Sequence, residues 1–137
     1  MVFIDHYIDP LNRHIIVDED VSYGWAYLTK ANSHSIDIDC WLYNRIITPD
    51  SSKLFLEIDM YRQIPPPVPH DLLKEQYPLD GFLNLKNEDF TFRVNNEDGV
   101  IYILVKNSHL ASIDYVKRCT YNIWLNRNCA WGKCLIL

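Results

Sequence analysis

Glycine, alanine and long apolar runs are all scarce in this chain of 137 residues. With only four glycines, the chain cannot build the glycine-rich loop that cradles nucleotide phosphates. No window approaches the roughly eighteen uninterrupted apolar residues that a membrane-spanning helix needs, so no membrane partner is expected. The sequence motifs of serine hydrolases, P-loop proteins and zinc metalloproteases are also missing.

Cysteine and histidine do not follow a pattern that is typical of a metal site. The four cysteines lack the C-x-x-C spacing of structural zinc sites, and the five histidines are scattered. No metal and no cofactor is therefore predicted. The first residues contain Asp5 and Asp9, where a secretory signal needs a basic start and an apolar run. We expect a cytoplasmic protein whose cysteines are reduced thiols.

The composition favours strands over helices. Isoleucine, valine and threonine together number 27 and aromatic residues number 18, whereas alanine occurs only four times. Branched and aromatic side chains suit a pleated, half-buried surface and lose rotamer freedom in a helix. Together with the chain length, this composition predicts a single globular domain over residues 1–137 that is mostly β, either all-β or α+β.

Alternation of apolar and other residues marks the strands. The two runs over 21–29 and 34–46 form the clearest pattern and predict an antiparallel hairpin. A polar run that ends in Asp98-Gly99 predicts a second hairpin. The expected architecture is an antiparallel sheet that forms a sandwich or a partly open barrel. Its predicted strands cover residues 13–17, 21–29, 34–46, 54–61, 89–94, 100–106 and, with weaker patterns, 109–113 and 131–137.

Helix is expected in one place and remains an alternative in another. The proline run over 65–69 must leave the sheet, and a short helix is predicted near 69–76, where Pro78 ends it. Residues 115–125 fit a helical stripe and a strand equally well. A second helix near 115–125 is therefore one of two open interpretations.

The candidate site is an acidic and aromatic face of the predicted sheet. Alternation places Ile36 and Ile38 on one side of their strand and carboxylates and aromatic rings on the other. Tyrosine and tryptophan supply large contact areas at low entropy cost and dominate binding hot spots. Burial of the tryptophans in a core, and a solvated sheet face for the acids, remain the alternatives. The candidate binding residues are Trp25, Asp37, Asp39, Trp41, Tyr43, Glu57 and Asp59.

The charge distribution argues against nucleic acid as a partner. The net charge is −5, and a protein of this acidity is poorly suited to a phosphate backbone. The leading hypothesis is a non-enzymatic module that binds a basic protein, for example an immunity-type inhibitor of a toxin or nuclease domain. Two alternatives are a small-ligand-binding β-barrel or sandwich, and a small hydrolase that uses a carboxylate pair or Cys119 with His109. A homo-oligomer is compatible with each.

Overall fold

The fold is given by a computed structural model, which describes residues 2–19, 23–30, 35–44, 72, 84–129 and 132–134. These residues form nine strands in two sheets. The prediction of a mostly antiparallel β architecture is confirmed, since every pairing between described strands is antiparallel except the last. None of the helices in these residues is long and apolar enough to cross a membrane.

The first sheet is an antiparallel meander in which each strand pairs with the next along the chain. A short 3-10 turn over Asp9–Leu11, with Pro10 in its first positions, connects the first two strands, and Asn12 follows it with a φ of 50°. Asparagine tolerates this left-handed conformation better than most residues. The strands are β1 (Val2–Ile8), β2 (Arg13–Glu19), β3 (Tyr23–Lys30) and β4 (Ile36–Asn44).

The second sheet also follows chain order, with a parallel strand at its end. The run over 100–105 is apolar on both faces, and its strand lies between two neighbours, as a central strand should. Gly99 adopts a φ of 71° in the turn before it, a conformation that glycine takes without steric cost. The strands are β5 (Phe90–Asn95), β6 (Val100–Val105), β7 (Ser108–Asp114), β8 (Cys119–Asn122) and β9 (Lys133–Cys134).

The two sheets pack as a sandwich over a shared core and do not close into a barrel. Strand β4 contacts β7 and β8, and the His6 ring of β1 stacks on Phe92 of β5 at 5.5 Å. Burial of these inner faces removes apolar surface from water and is the main stabilising term. The buried core residues of the first sheet include Ile15, Val17, Leu28, Cys40 and Leu42, and those of the second include Ile101, Ile103, Leu110, Ala111 and Ile113.

Residues 115–125 do not form a helix, so that alternative was wrong. A turn precedes β8, which pairs with β7 from Asp114↔Cys119 onward. The Asp114 carboxylate accepts a hydrogen bond from the backbone N–H of Lys117 at 2.9 Å, and Arg118 has a φ of 59°. A left-handed residue at this point ends any right-handed helix. The strand predicted over 54–61 and, except for Leu72, the helix predicted near 69–76 lie outside the described residues.

Candidate functional site

The outer face of the first sheet, which points away from the shared core, is arranged in cross-strand rows. Strand register fixes which side chains are neighbours on one face. Two neighbouring strands carry Trp25 opposite Trp41 and Tyr27 opposite Asp39, which confirms the hairpin prediction. The first row contains Phe3, Asp18, Trp25 and Trp41; the second contains Asp5, Ile16, Tyr27 and Asp39; the third contains Tyr7, His14 and Thr29.

Exposure falls steeply across this outer face from β1 to β4. Phe3 is 60% exposed and Tyr7 is 45% exposed, whereas Trp25 and Trp41 are only 2% and 3% exposed. The two indoles therefore contribute almost no accessible surface in the isolated chain. The part of the face that a partner can reach directly lies on β1 and β2.

The accessible part consists of Phe3, Asp5, Tyr7 and His14, which we name the β1 strip. His14 Nδ1 lies 2.7 Å from the Asp5 carboxylate, and the Tyr7 and His14 rings are 5.2 Å apart. The Tyr7 hydroxyl donates to Asn12 Oδ1 at 2.9 Å. These contacts hold Tyr7 and Asp5 in place before any partner arrives, which reduces the entropy cost of binding.

The backbone of the β1 strip is also tied to the short 3-10 turn Asn87–Asp89 that leads into β5. Asn87 Nδ2 donates to the Phe3 carbonyl oxygen at 3.2 Å. Among the described strands β1 pairs only with β2, so this carbonyl would otherwise face the open edge of the sheet. Exposed edges that keep unpaired backbone groups invite pairing with another chain. The Asn87 amide satisfies one of these groups and leaves the Phe3 ring exposed.

The less exposed part of the outer face combines two buried indoles with a half-buried carboxylate, Asp39. The Trp25 ring lies 5.8 Å from Trp41 and 4.4 Å from Tyr27. Burial raises the pKa of Asp39 above its ordinary value, and a backbone hydrogen bond offsets part of that rise. Burial deprives the ionised carboxylate of hydration that would stabilise it in water.

Asp37 is separated from Asp39 and Trp41 by a break in the pairing. It lies at a register shift between β3 and β4, where it has no cross-strand partner, and such bulges redirect side chains. Its side chain is 8% exposed and forms ion pairs with Arg13 at 3.2 Å and Arg118 at 2.5 Å. The Arg118 guanidinium holds the pKa of Asp37 below its usual range, and Arg13 acts in the same direction.

Tyr115 completes this group of side chains, which we name the Asp37 cluster. Arg13 Nη2 donates to the Tyr115 hydroxyl at 2.8 Å. The guanidinium groups of Arg13 and Arg118 lie 5.2 and 5.8 Å from the centre of its ring, within the range of cation–π attraction. The Asp37 cluster thus joins β2 and β4 to the turn before β8. Its carboxylate is already engaged by two guanidinium groups.

Of the remaining predicted site residues, the structure describes only the backbone of Tyr43. The backbone of Tyr43 pairs with Gly24, beyond a second register shift that leaves Leu42 without a partner. Glu57 and Asp59 lie outside the described residues. Sequence reasoning missed the β1 strip, although its alternation over 2–8 carries a signal. The polar His6 on the apolar side of that alternation weakens the pattern.

Among the described residues, Cys119 and His109 lie apart, since Cys119 pairs with Asp114, five residues along β7 from His109. Burial, with the charge of Asp39, raises the pKa of the Cys40 thiol to about 12, which keeps it protonated and unreactive. Cys119 Sγ lies 3.7 Å from the Tyr121 hydroxyl, whereas His109 contacts the ring of Tyr102. Within the described residues, no group of three or more histidine, cysteine, aspartate or glutamate side chains is placed to hold a metal.

Comparison with known proteins adds no further assignment. No family model, no curated protein and no solved structure matches this chain.

Proposed function

We propose that this protein is a non-enzymatic binding module whose outer face on the first sheet receives a basic protein. The observation that carries this proposal is the exposure of Phe3 and Tyr7 on either side of Asp5 along β1. Large apolar rings exposed beside a carboxylate are typical of a recognition surface. Both rings lie on a regular strand, so the surface is presented without a conformational change.

The charge of this outer face defines the partner. Apart from His14, the charged side chains among its described positions are all aspartates, namely Asp5, Asp18 and Asp39. A face with carboxylates and no lysine or arginine in these rows attracts a positively charged surface. Electrostatic complementarity of this kind raises the association rate and excludes acidic partners.

The aromatic rings supply the affinity that exposed charges cannot supply. Exposed ion pairs contribute about 0–1 kcal/mol each because water and salt screen them. An aromatic ring that becomes buried at the centre of an interface contributes about 2 kcal/mol or more. We therefore assign the anchoring role to Phe3 and Tyr7, with Asp5 selecting a cation between them.

An inhibitor of the immunity type, which caps a basic toxin or nuclease domain, is the concrete form of this proposal. Such an inhibitor needs a preformed acidic surface and no catalytic groups of its own. The net charge of −5 and the β1 strip both suit that role. The partner's basic site, normally directed at phosphate, would meet Asp5 of the β1 strip.

The test is an affinity capture from the source cell with the wild-type protein and two variants. Phe3→Ala combined with Tyr7→Ala removes both anchors. Val116→Ala is the matched control because Val116 is an exposed apolar residue, at 68%, in the turn between β7 and β8. We expect a basic protein that wild type and the control retain and the double variant loses. Its retention should also fall between 50 and 500 mM salt, as exposed charge contacts are screened. If the double variant retained the basic protein as well as wild type does, the proposal would be wrong.

A further inference from the structure

A cavity of about 750 Å³ opens on the outer face of the second sheet. This volume is within the range of about 300–1,000 Å³ that small-molecule sites occupy. Residues of β5, β6, β7 and the turn between β5 and β6 line it. The lining side chains used below are Arg93, Glu97, Tyr102, Leu104 and His109, and we name this site the β5–β7 cleft.

Strand register and one bulge build the cleft. Arg93 pairs with Tyr102, and Leu104 pairs with His109. A register shift leaves Leu110 without a partner in β6, so Leu110 and Ala111 both reach the core while His109 stays beside Leu104. Bulges commonly redirect a side chain next to a functional site.

The base of the cleft is aromatic and apolar. The rings of Tyr102 and His109 meet edge to face, with their centres 5.1 Å apart. Leu104 is buried beside His109. Edge-to-face packing fixes the orientation of both rings. A planar ring therefore finds a preformed surface here and loses little entropy to rearrangement of the protein.

Two polar side chains of the cleft, His109 and Arg93, lack a polar partner among the described residues. His109 Nε2 is buried and has no hydrogen-bond partner in the described structure. In that same part of the chain, no ion pair joins the Arg93 guanidinium to a carboxylate. Buried polar atoms nearly always have a partner, so an exception at a cavity calls for an explanation.

We infer that the β5–β7 cleft binds a small molecule that carries a planar ring and an anionic group. The ring packs against Tyr102 and Leu104, and the anionic group accepts hydrogen bonds from Arg93. His109 Nε2 hydrogen-bonds to a polar atom of the ligand. Arginine keeps its charge at any physiological pH and engages carboxylates with two parallel N–H groups.

The position of Arg93 decides the sign of the ligand's charge. Arg93 lies on β5 directly opposite Tyr102, next to the aromatic surface. Glu97 lies in the turn beyond β5, at the rim of the cleft. An anionic group attached to a ring on Tyr102 thus reaches Arg93 first, and Glu97 disfavours a second anionic group at the rim.

Benzoate, benzyl alcohol and acetate are the probes that test this inference by NMR. We expect benzoate to shift the side-chain resonances of Tyr102 and His109 with a Kd of about 1 mM, the affinity of a ligand this small. Benzyl alcohol lacks the charge and acetate lacks the ring, so each should bind at least about tenfold more weakly. Arg93→Gln should weaken benzoate about tenfold and leave benzyl alcohol unchanged. Lys117→Gln, which removes an exposed cation elsewhere, is the matched control.

Four results would overturn the inference. Acetate binding as tightly as benzoate would mean that the ring is not recognised. Benzyl alcohol binding as tightly, or Arg93→Gln leaving benzoate unchanged, would mean that the anionic group is not recognised. Absence of shifts at Tyr102 and His109 would mean that the cleft is not the site. The β1 strip lies on the other sheet, so the Phe3→Ala and Tyr7→Ala variant should bind benzoate normally, and this separates the inference from the protein-binding proposal.

Discussion

Arg118 donates three hydrogen bonds to Asp37, two to the carboxylate and one to the backbone carbonyl oxygen. Asp37 belongs to β4 of the first sheet, and Arg118 belongs to the turn that leads into β8 of the second. This pair therefore ties the two sheets together at one end of the sandwich. It also explains why Asp37 is not part of the surface formed by Asp39 and Trp41, although alternation groups all three.

Asp37→Asn should lower the free energy of unfolding at pH 7 by about 1–2 kcal/mol. Hydrogen bonds to charged groups contribute about 1.5–3 kcal/mol, and water screens the half-exposed Arg118, which places the effect at the lower end. Urea unfolding measures the change. Asp9→Asn removes the same charge from an exposed position and should change stability by less than about 0.5 kcal/mol. A similar loss in both variants would mean that net charge, and not the Asp37 cluster, is responsible.

The stability difference between wild type and Asp37→Asn should disappear in acid. Because the folded-state pKa of Asp37 is lowered, its contribution is fully present above its unfolded pKa of about 3.9. It is then lost as the pH falls through the lower folded-state pKa. Unfolding curves at pH 7, 4 and 2.5 test this. A difference that stays constant down to pH 2.5 would contradict the assigned pKa direction.

Asp39→Asn should change the free energy of unfolding in the opposite direction to Asp37→Asn. Burial raises the folded-state pKa of Asp39, so wild type loses stability as the pH rises from its unfolded pKa to its folded-state pKa. Asparagine has no charge to desolvate in this place. The variant should be at least as stable as wild type at pH 7, and its relative stability should increase between pH 4 and 7. A loss of more than about 1 kcal/mol at pH 7 would mean that the ionised carboxylate is stabilising.

The opposite behaviour of Asp37 and Asp39 shows where sequence reasoning succeeds and where it stops. Alternation correctly identified β4 and its pairing with β3, because a half-buried strand needs an apolar side. It could not predict the register shift at Asp37, since a bulge depends on contacts with Arg13 and Arg118 that are distant in sequence. Hydrophobic periodicity also could not predict the left-handed backbone conformation of Arg118, which ends the turn before β8. The exposure of a side chain depends on how whole sheets pack. The sequence alone therefore could not predict that Phe3 is exposed and Trp41 is buried.

Asn122→Ala should destabilise the protein by about 2–3 kcal/mol. The buried Asn122 amide donates to the carbonyl oxygens of Trp41 and Leu42 on β4, and its Oδ1 accepts from the backbone N–H of Trp124 at 2.7 Å. Truncation leaves these buried groups unsatisfied, which costs about 1–3 kcal/mol per group before relaxation. Thermal unfolding measures the loss. Asn96→Ala, at an exposed turn position, is the control and should have little effect.

Thiol accessibility should distinguish Cys40 from the other cysteines. Its pKa of about 12 and its burial keep it from reacting in the folded protein at pH 8. A thiol reagent should therefore titrate at most three groups in the native protein and all four in denaturant without reductant. Two or fewer reactive groups in denaturant would reveal a disulfide, which the prediction of reduced thiols does not allow.

Trp41→Ala should mainly lower stability, whereas Phe3→Ala should mainly weaken binding of the partner protein. Trp41 is buried, and removing a buried tryptophan costs about 3–5 kcal/mol. Phe3 is exposed at the edge of the sheet, so its removal should change the free energy of unfolding by less than about 0.5 kcal/mol and still weaken binding of the captured basic partner by about 2 kcal/mol. Urea unfolding and calorimetric titration provide the two numbers. If Phe3→Ala leaves binding intact and Trp41→Ala weakens it without loss of stability, the recognition surface lies on β3 and β4, and the β1 strip has no role in it.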